Sequence, residues 1–254
     1  MNIKLFKATL GLTIVMLLVS ACGIIPTFGS RNLISESRDV SGFDRVEVSG
    51  GGSMDIIQDG TEALTVETDD NVMQYFTSEV RGGRLYLGLD SGVRSLLPSR
   101  LHIILHVKDL TSLTTSGSWE VVSESIQSSN LNIVISGSGK VIINALTTDK
   151  LDTTVSGSGE LDLSGEAKQQ SINISGYGKY LAGDLRTLAA TISISGSGNV
   201  TVWTADTLRV QVSGSGDVSY YGSPQVSFDQ SGSGNIHNLG GKEEPESLVQ
   251  TQGL

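Results

Sequence analysis

Between residues 110 and 238, apolar side chains occupy every second position for short stretches, stop, and resume. Leu131, Ile133 and Ile135 are followed by Val141 and Ile143, and Leu151, Thr153 and Val155 by Leu161 and Leu163. Ile192 and Ile194 lead to Val200 and Val202, and Leu208, Val210 and Val212 to Val218 and Tyr220. Alternation with β-branched enrichment is a strand signature, because successive strand side chains point to opposite faces. The pattern predicts short strands in pairs, each pair divided by the same polar interruption.

That interruption is a repeat. Ser-Gly-Ser-Gly begins at Ser136, Ser156, Ser195, Ser213 and Ser231, with the variants Ser175-Gly176-Tyr177-Gly178 and Ser116-Gly117-Ser118-Trp119. Successive starts lie 18–20 residues apart, a period that signals a solenoid. The parity of the apolar positions runs through the motif: Ile133, Ile135, Gly137, Gly139, Val141 and Ile143 are all odd-numbered. In extended chain both glycines then face inward, where a corner leaves little room, and the serines face outward in stacked hydroxyl ladders. Glycine also tolerates the dihedrals of a sharp bend.

One unit cannot stand alone. Five buried aliphatic side chains contribute roughly 7–15 kcal/mol, and ordering the backbone of one unit costs at least that much at about 1–2 kcal/mol per residue. Neighbours must share ladders and a core. The predicted fold class is all-β, a parallel β-helix (solenoid) of 18–20-residue coils with Ser-Gly-Ser-Gly corners. A β-sandwich is the rival, but near-identical short units without hairpin dipeptides favour the coil.

Residues 111–238 are the regular coils, and residues 39–110 read as a diverged version. Val46, Val48, Gly50, Gly52, Met54 and Ile56 repeat the inward pattern around Ser49-Gly50-Gly51-Gly52. Leu85 and Leu87 follow the Gly82-Gly83 turn, and Leu101, Ile103, Leu105 and Val107 make a further strand. These are opening coils with long excursions or a small separate sheet. At the other end Gln230 stands where earlier copies carry Ile or Val, which suits a terminal cap.

Composition agrees. Glycine accounts for 31 of 254 residues, against a usual share of roughly 7 %, and not at every third position as collagen requires. Charged residues at 17 % and aromatics at 5 % exclude a coiled coil. Residues 1–21 read as a targeting signal: Lys4 and Lys7 precede an apolar run over residues 8–19, shorter than the roughly 20 residues of a spanning helix. Residues 22–38 read as a tether and residues 239–254 as a disordered polar tail. Without Lys4 and Lys7, 15 of the 17 basic residues remain against 27 acidic ones, a net charge of −12. That charge opposes nucleic-acid binding.

Cys22 is the single cysteine, so no intramolecular disulfide forms. The run Val19-Ser20-Ala21-Cys22 resembles the lipobox of bacterial lipoproteins. The resemblance implies cleavage before Cys22, a diacylglycerol on its sulfur and acylation of the new amino terminus, such as by palmitate. Two or more chains give durable anchoring. Gly23 is not the Asp that, by resemblance to enteric lipoproteins, favours retention in an inner membrane. The expected location is the cell envelope: the outer membrane where there are two, otherwise the outer face of the cell membrane.

Candidate chemistry is sparse. The residue after the last glycine of each motif is Lys140, Glu160, Lys179, Asn199, Asp217 and Asn235 in turn, which cannot build the repeated-Asp calcium ladder of glycine-rich repeats. Glu160 and Asp162, with Asp152 in the same unit, read as solvated charge rather than an acid–base pair. His102 and His106 lie about 13 Å apart if on a strand, so neither they nor His237 is assigned to a metal. The serines lack an identifiable histidine and carboxylate. No catalytic residue, metal ligand or cofactor is assigned. Trp203 and Tyr221 each follow a corner glycine by five residues, on outward parity in adjacent coils. They are the candidate ligand platform for a sugar ring or a protein; the alternative is a structural stack covered by a connection or by the tail.

Val40-Ser41-Gly42-Phe43-Asp44 leading into Val46 and Val48, the serial Ser-Gly-Ser-Gly units, and Gly216-Asp217-Val218-Ser219-Tyr220-Tyr221-Gly222-Ser223-Pro224 resemble the putative auto-transporter adhesin, head GIN domain family of bacterial envelope proteins. The resemblance covers about residues 39–238. It implies a β-helical domain without catalytic residues and a role in adhesion. The final motif departs from the family pattern, reading Gly234-Asn235-Ile236 rather than Gly-Ile-Asn. The expected protein is a lipid-anchored, non-enzymatic envelope lipoprotein whose solenoid binds a glycan or an envelope or surface protein. The competing classes are a polysaccharide lyase or hydrolase on a β-helix and a self-associating structural module.

Overall fold

Alternating strands and glycine corners assemble into a parallel β-solenoid of about six turns. The computed structural model describes residues 27–90 and 96–242; Cys22 with the targeting segment, and residues 243–254 of the tail, lie outside the described residues. The chain opens with β1 (Thr27–Phe28) and β2 (Leu33–Arg38) and enters a first rung as β3 (Arg45–Gln58). An excursion follows through β4 (Ala63–Asp69), one helical turn (Asp70–Met73) and β5 (Phe76–Arg81). The chain returns as β6 (Arg84–Leu89), β7 (Leu96–Leu97) and β8 (Leu101–Val107). The regular climb is β9 (Ser112–Ser123), β10 (Ile126–Gly137), β11 (Lys140–Gly157), β12 (Glu160–Gly176), β13 (Lys179–Gly196) and β14 (Asn199–Gly214). It ends with β15 (Asp217–Tyr221), β16 (Gln225–Gly232) and β17 (Ile236–Asn238).

Each rung has three faces. The first runs up to the corner, as in residues 131–137; the second leaves it, as in residues 140–143; a short third face, as in residues 146–148, closes the triangle before the next rung. Rungs pair in parallel and in register, so identical slots stack. Val48, Thr115, Ile135, Val155, Ile174, Ile194 and Val212 form one such inward column, and all are buried. β-Branched side chains fit a pleated surface well, which is why Ile and Val dominate the column.

The corners correct half of the parity argument. The second glycine does face the core: a Cβ on Gly159 would meet Ile135 Cγ2 of the preceding rung at 2.5 Å. The first does not. Gly157 has φ +118, and its Cβ would point along the stack to within 2.6 Å of the Gly137 carbonyl oxygen. The kink turns that position out of the extended pattern, so it needs glycine for its dihedral. Backbone bonds tie the corners together: Ser158 N–H donates to the Gly137 carbonyl and Glu160 N–H to the Gly139 carbonyl, both at 2.9 Å. In the variant corner Trp119 takes the second-glycine slot and its indole is buried, packed over Gly52.

Residues 39–110 are part of the solenoid, but out of sequence order. β6 pairs in parallel with the first half of β3 and β8 with its second half, while β9 stacks on the opposite side of β3. The rung built from β6 and β8 therefore lies outside the rung that precedes it in the chain. Antiparallel strands then close that end: β4 on β8, β2 on β4, and β5 on β6.

Two boundaries move. Residues 33–38, expected within the tether, are the outermost cap strand; its side chains are nearly all exposed, so no alternation betrays it. Residues 239–242, expected in the tail, pack on the last coils, with Leu239 N–H donating to the Tyr220 carbonyl and Gly222 N–H to the Gly240 carbonyl.

Candidate binding surfaces

The third face begins late. Residues 126–128 pair with residues 146–148 on one side, but the rungs below them leave the coil for their excursions. Gln58 fills part of the gap by imitating a strand. Its Oε1 accepts the Gln127 N–H at 2.7 Å, and its Nε2 donates to the carbonyls of Gln127 and Lys108 at 3.0 and 3.1 Å. What remains is an open cleft of about 840 Å³, within the usual range of ligand pockets.

The walls of the cleft are polar. Hydroxyls and amides come from Thr111, Ser125, Gln127, Ser128, Ser129 and Asn130, and charge from Asp44, Asp109 and Lys108. Two of the charged groups are already engaged. Asp44 accepts the Thr111 hydroxyl at 2.9 Å. Lys108 Nζ donates to Glu62 at 2.9 Å; that bond, with the Phe43 and Gly42 N–H groups, holds the Glu62 carboxyl below its ordinary range. The chemistry on offer is a set of neutral donors and acceptors with little net charge.

The far end of the same face carries the aromatic pair. Trp203 and Tyr221 are in register on adjacent rungs, as their spacing predicted. Of the two readings of the pair, the covered stack describes its state here: Trp203 is 7 % exposed and Tyr221 is half-buried. The tail covers the pair, because Lys242 Nζ lies 5.5 Å from the Trp203 ring centroid and 5.0 Å from that of Tyr221. A cation over an aromatic face is attracted by the ring quadrupole. The same ammonium is pinned by the Gly183 carbonyl at 2.7 Å and by the Asp184 carboxylate. Lys242 lies in a segment with no periodicity, so nothing in its sequence surroundings marks it.

The remaining candidates are scattered into ordinary contacts. Glu160 pairs with Lys140 at 2.9 Å and Asp152 with Lys150 at 2.7 Å. The Glu120, Lys140, Glu160 and Lys179 column thus alternates in sign along the second face, which pulls the Lys140 pKa up through Glu160. His102 Nδ1 lies 2.9 Å from the Ser53 hydroxyl, and His106 Nδ1 lies 2.7 Å from Asp59. Among the described residues no group of three or more His, Cys, Asp or Glu side chains could hold a metal ion. A buried polar chain crosses the interior instead: Tyr180 hydroxyl to Gln170, Gln170 to Thr187, and Thr187 to the Trp203 carbonyl, at 2.8–3.0 Å. Burial raises the Tyr180 pKa, so the phenol stays a neutral donor.

Solved structures share the architecture. A putative adhesin from Bacteroides fragilis is 27 % identical, with 84 % of this chain and 100 % of that chain covered and a TM-score of 0.79. A protein described as a putative lipid binding protein, from Parabacteroides distasonis, is 25 % identical over 85 % of this chain and 100 % of that chain, with a TM-score of 0.73. A putative adhesin from Parabacteroides merdae, 18 % identical over 84 % and 98 %, shares the fold at a TM-score of 0.67. No curated protein matches the chain. The family described as putative auto-transporter adhesin, head GIN domain, matches residues 42–224. The repeat, the corners and that match agree, and the chain belongs to this family.

Proposed function

We propose that this protein is a lipid-anchored, non-catalytic adhesion module of the cell envelope that binds a neutral glycan along its third face. The cleft bounded by Gln58, Thr111 and residues 125–130 carries the reading. Its walls offer hydroxyl, amide and backbone groups that suit the many hydroxyls of a sugar, and they lie on a rigid solenoid rather than on a mobile loop. Family membership supports adhesion as the use of such a surface. The Cys22 lipobox supplies the anchor. Trp203 and Tyr221 form a second contact point when a sugar ring takes the place of the Lys242 ammonium.

The test is equilibrium binding of neutral hexose oligosaccharides to the intact chain. A combined Asn130→Ala, Asp109→Ala variant should bind at least about tenfold more weakly, a loss of about 1.4 kcal/mol, with its melting temperature unchanged. Undiminished binding by the variant removes the cleft, and undiminished binding by a folded Trp203→Ala, Tyr221→Ala double variant removes the aromatic contact. Cleavage of the oligosaccharide would favour the enzyme reading instead.

A further inference from the structure

We infer that the capped end of the solenoid, around Phe28 and Leu97, rests directly on the lipid bilayer; this deepens the lipid-anchor reading of Cys22 and rests on it. Phe28 and Leu97 pair across the small β1–β7 sheet and are 66 % and 50 % exposed. Leu33 and Ile34, on the outermost cap strand, are 42 % and 38 % exposed. Hydrogen bonds bring the two strands together at one end of the molecule. Asn71 Nδ2 donates to the Phe28 carbonyl at 2.9 Å and Asp70 N–H to the Asn32 carbonyl at 2.9 Å. Phe28 and Leu97 thus sit side by side at one end of an acidic protein, with one of Leu33 and Ile34 on either face of β2 at the same end, and exposed apolar side chains so placed call for a partner.

The path of the chain identifies that partner. Cys22 precedes Thr27 by five residues, at most about 18 Å of extended backbone. An acylated Cys22 lies at the lipid headgroups, so the β1 end cannot stand far from them. The connecting residues are Gly23, Ile24, Ile25 and Pro26, and no charged side chain occurs between Cys22 and Arg31. A spacer meant to hold a domain away from the surface is polar or charged; this one is apolar. The contact is chiefly apolar, because Arg38 and Arg100 of this end are paired with Glu36 and Glu67, and Arg31 is the one further cation beside Phe28 and Leu33. The third face then runs up the side of the solenoid, away from the membrane.

The measurement uses the anchored full chain in phosphatidylcholine vesicles with brominated acyl chains, which quench tryptophan emission on contact. Vesicle flotation is read first, then quenching of the emission added by Phe28→Trp, with Leu97→Trp as a second variant. The native Trp119 and Trp203 are buried and give a constant background. Tyr177→Trp, at an exposed corner on the solenoid wall, is the reference. The expected result is flotation of every variant, with the emission added by Phe28→Trp and Leu97→Trp quenched at least about tenfold more strongly than that added by Tyr177→Trp. Flotation with quenching no stronger than the reference overturns the membrane contact alone. Blue-shifted but unquenched emission overturns it too, because protein rather than lipid then covers the patch. A chain that does not float overturns the anchor reading and this contact with it.

Discussion

The two glycines of a corner look alike in the sequence but obey different constraints. The second lacks room for a side chain between rungs; the first also sits at a φ that L residues rarely adopt, with a carbonyl of the preceding rung where its Cβ would be. Gly157→Ala should therefore cost about 2–5 kcal/mol, combining backbone strain with displacement of a packed neighbour. Gly60→Ala is the control, because Gly60 has φ +83 but nothing within 4 Å of its Cβ position, so about 1–2 kcal/mol of strain is expected. Urea denaturation of the two variants checks this, and equal losses would contradict the stacked-carbonyl account. The inward fate of Gly159 is legible from parity. That of Gly157 is not, because parity presumes an extended chain and the kink lies at that residue.

At the scale of elements, the ends of the solenoid differ. The amino-terminal end is covered by antiparallel strands, but the last rung, β16, is exposed along nearly its whole length. Its corner has one safeguard. Within the stack the two corner glycine carbonyls accept N–H groups from the next rung; on the last rung Gln230 Nε2 supplies both bonds, to Gly232 at 2.9 Å and Gly234 at 2.6 Å. Gln230 stands in register with Val212, and a long polar side chain in a slot that the other rungs fill with Val, Ile or Thr marks the cap in the sequence itself. Gln230→Val restores the repeat and frees both carbonyls at an exposed edge, a template for pairing with another chain. Sedimentation of this variant should show concentration-dependent dimers that the parent lacks, and matching profiles would contradict the capping role. The order of the first rungs is illegible in the sequence for a plain reason. Alternation marks Leu101, Ile103 and Leu105 as a strand but does not say which strand is its neighbour, and that pairing with β3 is a long-range choice.

At the scale of the molecule, acid sensitivity is concentrated in the amino-terminal cap. Asp59 is lowered to about 2 by hydrogen bonds from Thr61 and His106. Asp70 is lowered by Ser30 and Asn32. Burial pushes the Asp69 carboxyl up, but the combined bonds from Ser99 and the Arg31 and Arg100 backbone leave it below its ordinary value. Carboxylates depressed in the folded state stabilise it above their unfolded pKa, near about 4, and lose that contribution as pH falls through the folded value. Between pH of about 4 and 2 the β2 and β4 amides should thus lose hydrogen-exchange protection, corrected for the intrinsic rate, before those of β12 and β13. Simultaneous loss would contradict a separately held cap. The cleft itself follows from this layout. It exists because the early rungs leave the third face unbuilt below residues 126–128, a property of rung order that no single residue type announces.

A glycan held at the open end of the third face would shield the amides that line the cleft. Hydrogen exchange of the intact chain with and without a bound neutral oligosaccharide tests this placement most directly. Added protection at Thr111 and residues 125–130, with the serine corners and the terminal β16 rung unchanged, is the predicted result. Protection confined to the corners or to β16, with the cleft amides unaffected, would contradict it.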